Sequence, residues 1–136
     1  MNKLTAKQLL TINQKLTNVI DESPALLCKV EEISRLPYQQ DDRAVYVYKN
    51  IVERASVLGS AIATGKPFEM KNNQTAVVAV LTLLKLNDVE LENYESNVAE
   101  LAEYLKSGNL SDSNQWIMRY QCTQKKEAES VPDENK

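Results

Sequence analysis

From Thr5 onward the apolar positions Leu9, Leu10, Ile12, Leu16, Val19 and Ile20 recur at mostly helical spacing, and Thr5 with Gln8 has the form of a capping box. The pattern predicts a first helix running from Thr5 to about Ile20. Ser23 before Pro24 reads as a cap followed by proline at the first helical position, and Leu26, Leu27, Val30 and Ile33 carry a short second helix that Pro37 ends near Leu36. The polar run Pro37-Tyr38-Gln39-Gln40 reads as a loop or short irregular flap. After it Val45, Tyr48, Ile51, Val52, Ala55, Leu58 and Ile62 form a long amphipathic stripe, with Gly65 placed as its C-cap.

Periodicity does not separate strand from helix over Ala76–Leu86, where valines and leucines crowd every side, and length decides for a buried helix. Asn72 or Asn73 is placed to cap its start and Asn87 its end, making it the central helix of an all-α bundle. Val98, Leu101, Ala102 and Leu105 give a further helix stopping at Gly108. A last one begins at Ser111 and is anchored by Trp116, Ile117 and Tyr120. Residues 1–124 form one helical domain on this reading. Residues 125–136, charged and interrupted by Pro132, form a disordered tail.

Composition narrows the chemistry. At 136 residues the chain suits one domain, and only 3 glycines and 4 prolines leave little for the turns of a many-stranded β fold. A net charge of −3 without a basic cluster argues against nucleic acid as a partner. Cys28 and Cys122 are too few for a disulfide framework or a zinc site, and the chain contains no histidine, so no metal site is expected. The N-terminus runs into polar helix-forming sequence without the apolar stretch of a signal peptide. The apolar run Ala76–Leu86 is shorter than the roughly 20 residues of a membrane span. A reduced, cytoplasmic protein away from the membrane is the expectation.

The segment Gly65-Lys66-Pro67-Phe68-Glu69-Met70-Lys71-Asn72-Asn73-Gln74-Thr75-Ala76 joins an amphipathic helix to a buried one. It resembles the active-site loop of the Fic/Doc (Fido) family, written H-P-F-x-D-G-N-K-R-T-A. Ala55–Ala63 and Leu81–Val89 look like the family's flanking helices, and Leu4–Leu10 like its usual opening. The resemblance covers roughly residues 4 to 110 and is nearest to the short death-on-curing (Doc) toxin branch. It implies a compact Fic/Doc-like helical bundle around the buried central helix. It also implies descent from enzymes that move AMP or phosphate from a nucleotide onto a protein side chain.

Position by position, the resemblance implies a loop whose chemistry is lost. The base histidine of the family falls on Lys66, an ammonium near neutral pH that acts as a base only when deeply desolvated. The magnesium carboxylate falls on Met70, whose soft thioether does not hold a hard cation. The loop glycine falls on Lys71, and the phosphate-steadying arginine on Gln74, which has neither its charge nor its fork. Pro67, Phe68, Asn72, Thr75 and Ala76 match the family residues that anchor the loop and start the helix.

A pseudoenzyme that binds a protein is the leading expectation, with an antitoxin-like peptide, a toxin or a translation factor as partner, within or derived from a toxin–antitoxin system. No cofactor is expected. The alternative is an atypical transferase of phosphate or AMP working through Lys66. Lys66, Lys71, Asn72 and Asn73 flank a helix start and could keep a weak anion or nucleotide site, or simply be solvated. Tyr38 and Tyr46 fall where the family's docking flap would lie and are candidates for partner contact, whereas Tyr48 at helical spacing reads as core. Glu90, Glu92 and Glu95 read as a solvated edge. Ser130–Asn135 fits the spacing of the family's self-inhibitory segment, but Pro132 interrupts it and no role is assigned to it.

Overall fold

The computed structural model describes residues 2–122, an all-α bundle in which six α-helices are found among the described residues. They are α1 (Ala6–Thr17), α2 (Pro24–Arg35), α3 (Ile51–Gly65), α4 (Asn72–Leu86), α5 (Val98–Ser107) and α6 (Leu110–Tyr120). The charged segment 125–136 and the Ser130–Asn135 pattern lie outside the described residues.

Caps fix where the helices begin and end. At α1 the Thr5 hydroxyl accepts from the Gln8 amide while the Gln8 side chain accepts from the Thr5 amide, the reciprocal box read from the sequence. The expected extension to Ile20 is corrected: Asn18 turns left-handed at φ 59° and closes α1. Val19 and Ile20 are consequently exposed beyond it. Ser23 and Pro24 start α2 as expected. Pro37 then sits in a single 3-10 turn, Leu36–Tyr38, rather than in an irregular loop, because its fixed φ suits the start of a tight turn.

The start of α3 is also corrected. Val45 and Tyr48 belong to a small hairpin, in which Val47 N–H donates to Gln39 C=O at 3.0 Å and Asp41 N–H to Val45 C=O at 2.8 Å. Asn50 caps the helix through the Glu53 amide at 2.9 Å, and the Glu53 carboxylate reaches back to the Lys49 amide at 2.8 Å. Two further termini shift by a residue or two. Gly65 remains helical while Lys66 takes the left-handed position, and α6 is capped by Asn109 instead of Ser111.

α3 and α4 form an antiparallel pair at the centre. α4 does not hold the centre alone, since nine residues of α3 are buried against seven of α4, and α3 is the helix touched by α2, α4, α5 and α6. Gly59 permits the close approach: a Cβ there would overlap Val80 Cγ2 and meet both Leu105 methyls at 3.0 Å. α1 lies across α4 and beside α2, and a clasp between Asn2 and Asn87 ties the chain start to the end of α4. Trp116 is fully buried, its indole N–H donating to Asn97 C=O at 3.1 Å and its ring packed on Tyr94 and Tyr120. Among the described residues no helix is long and apolar enough to cross a membrane.

Candidate functional site

The loop between α3 and α4 is held from inside. Phe68 is buried, and the Asn72 side chain brackets it, accepting from its amide and donating to its carbonyl, both at 2.9 Å. Thr75, fully buried, donates to Lys71 C=O at 2.7 Å. From α1, the buried Asn13 donates to Thr75 Oγ1 at 3.0 Å and to Met70 C=O at 3.1 Å. Each of these groups would be an unpaired dipole inside the protein without its partner, so the set closes only in this loop shape.

The residues facing outward differ in kind. Lys66, Met70, Lys71 and Gln74 are all exposed, Pro67 and Asn73 half-buried. Lys66 ends α3 with φ 47° and Lys71 precedes α4 with φ 61°, both in the left-handed region that favours glycine. At Lys71 the backbone therefore keeps a glycine-like conformation under a lysine side chain. α4 begins at Asn72 with no side-chain cap hydrogen bond from Lys71, the residue before it. Asn72 is removed from the expected anion-contacting set, since both functional ends of its side chain are spent on Phe68. The cleft beside Phe68, Glu69 and Met70 measures only about 20 Å³, room for about one water.

Tyr38 and Tyr46 are brought together, but away from this loop. The buried Arg54 guanidinium lies 5.4 Å from the Tyr38 ring and 4.8 Å from the Tyr46 ring, with Lys3 Nζ 4.6 Å from Tyr38 on a further side. Burial pushes the Tyr38 hydroxyl above its ordinary range, against the opposing pull of Arg54. Arg54 stands near the start of α3 and Lys66 just past its end, which at 1.5 Å per residue separates the two groups by about 18 Å. The tyrosines are thus absorbed in a cation–π cluster at the opposite end of α3, with Tyr46 still 42% exposed. Tyr48 is half-buried and gives its carbonyl to Arg54 Nε at 2.9 Å.

Among the described residues no group of three carboxylate, cysteine or histidine side chains could hold a metal ion, which bears on Glu90, Glu92 and Glu95. Cys28 and Cys122 are free thiols. Asn13 was absent from the sequence-derived set. Its signal is a polar residue at the spacing of four and three between Leu9 and Leu16, on the face that packs into the core. No family model matches the chain, and no curated protein matches it either.

Proposed function

We propose that the chain is a catalytically silent domain of Fic/Doc descent that binds another protein, within or derived from a toxin–antitoxin system. The observation that carries the reading is the division within one loop. Phe68, Asn72, Thr75 and Ala76, which match the family's anchoring residues, are buried or spent on internal hydrogen bonds. The residues at the chemical positions, Lys66, Met70, Lys71 and Gln74, are exposed and of the wrong type.

A lysine acts as a base when its ammonium is driven out of water, and Lys66 is exposed. A thioether in place of a carboxylate leaves magnesium without its oxygen ligand. With turnover silenced, what such a loop retains is a shaped, rigid surface. Incubation with labelled ATP, magnesium and a cell lysate is expected to leave every protein unlabelled. Affinity purification with Phe68→Ala and Asn72→Ala as loop-disrupting controls is expected to capture a protein that both variants lose. Covalent labelling that disappears in Lys66→Ala would overturn the reading in favour of a transferase.

A further inference from the structure

Between the 3-10 turn and α3 the chain folds back on itself as the hairpin 39–47. Every residue of that stretch is exposed, and among the described residues the core cluster and the apolar side chains packed against it include none of them. Two backbone bonds join its arms, Val47 N–H to Gln39 C=O and Asp41 N–H to Val45 C=O. Within its turn Ala44 is left-handed at φ 62°, a conformation that strains a residue carrying a Cβ. Few buried apolar contacts and solvent-facing backbone bonds mark a segment that opens at a lower free energy than the whole protein.

Both ends of the hairpin are fixed. Gln39 follows the 3-10 turn, which packs on α2 and α3, and its amide donates to Leu36 C=O at 3.3 Å. Past the other arm, Tyr48 C=O accepts from Arg54 Nε at 2.9 Å. Between these ends the Tyr46 ring carries the hairpin onto the helical body. It lies 4.8 Å from the Arg54 guanidinium, a group only 6% exposed in the first turn of α3, while the Tyr38 ring of the 3-10 turn stands 5.4 Å from the same guanidinium.

We propose that the hairpin is a strap latched by the Tyr46 ring on Arg54, which lifts as a unit while the helices stay folded and so uncovers the guanidinium. The face of an aromatic ring is what holds the cation, so leucine at position 46 keeps apolar bulk but loses the latch, whereas phenylalanine keeps it. The proposal does not depend on the silent-domain reading.

Native-state hydrogen exchange in urea below the unfolding transition tests it. The Asp41 and Val47 amides are expected to exchange through one shared opening that hardly responds to urea, while the amide of Val80, buried in α4, responds with the full slope. Tyr46→Leu is expected to speed exchange at Asp41 and Val47 about tenfold, with the urea midpoint of Trp116 fluorescence unchanged, and Tyr46→Phe to stay close to the parent protein. Phenylglyoxal labelling of Arg54, located by mass spectrometry, is expected to rise by the same factor in Tyr46→Leu, against constant labelling of exposed Arg35. Exchange at Asp41 and Val47 that follows the urea slope of Val80 would overturn the proposal. So would indifference of exchange or labelling to Tyr46→Leu, a fall in the tryptophan midpoint that accounts for the faster exchange, or a Tyr46→Phe variant as open as Tyr46→Leu.

Discussion

At the scale of single residues, the loop is held by a few polar side chains, each with a checkable consequence. Removing both bonds of Asn72 to Phe68 in Asn72→Ala is expected to cost about 1–3 kcal/mol in urea unfolding. Asn72→Asp keeps an acceptor for the Phe68 amide and places a negative charge at a helix start, so it should cost less. If the aspartate variant is the less stable one, the bond to the Phe68 amide is not what closes the loop. Lys71, by contrast, sits in a strained backbone conformation, and Lys71→Gly should raise stability by about 0.5–1 kcal/mol despite the greater freedom of glycine in the unfolded chain. A loss would show that the lysine side chain contributes more than its backbone strain costs.

Asp41 offers a pH-dependent case at the same scale. Its carboxylate accepts from the Arg43 and Val45 amides at 2.8 and 3.1 Å, and these bonds hold its pKa below the ordinary carboxylate range. A depressed folded value means that the stabilisation is complete above about pH 4 and is lost as pH falls through the lowered value. The Arg43 and Val45 amide shifts in nuclear magnetic resonance should therefore move together, with a midpoint below about 3.9. A midpoint at or above that figure would remove Asp41 from the turn. What was legible in the sequence at this scale was residue type. The outward lysines and the methionine could be read directly, while the bracket of Asn72 around Phe68 could not, because a helix-start asparagine reads first as a cap.

At the scale of elements, strongly patterned helices were legible and their ends less so. Thr5 with Gln8, Ser23 with Pro24, and Gly108 each mark a terminus by local chemistry alone, and each stands where its residue type predicts. The boundary at Ile51 was hidden because Val45 and Tyr48 continue the helical spacing of the stripe. The signal that competes with them is Asn50 with Glu53, a capping pair that sets the true start. Gly59 was invisible for a different reason: its role is a contact with helices 21 and 46 residues away along the chain, at Val80 and Leu105. Gly59→Ala should destabilise by about 1–3 kcal/mol or more through overpacking against Val80. Adding Val80→Ala should recover part of that loss, since the shortened neighbour makes room for the methyl. Strict additivity in such a double-mutant cycle would show that the two side chains do not compete for the same space.

At the scale of the whole molecule, one apolar cluster runs from Leu4 to Ile117 and takes residues from every helix, so no helix has a core of its own. Loop and hairpin are therefore features of one body. The all-α class was legible because class depends on periodicity. The split of the centre between α3 and α4 was not, because it depends on which helix the others choose to pack upon. Trp116, the single tryptophan and fully buried, reports on the side of the core built by α5 and α6. Far-UV circular dichroism reports on all the helices, including α1 and α2 at the opposite edge. If the core is one unit, the two signals should give the same urea midpoint and the same slope. A dichroism change preceding the tryptophan change would mean that α1 and α2 melt first. Asn13 would then leave Met70 and Thr75 without their donor, and the loop would lose its shape while most of the protein remained folded. Coincident transitions would instead mean that the loop is as stable as the core, as expected of a surface kept rigid for recognition.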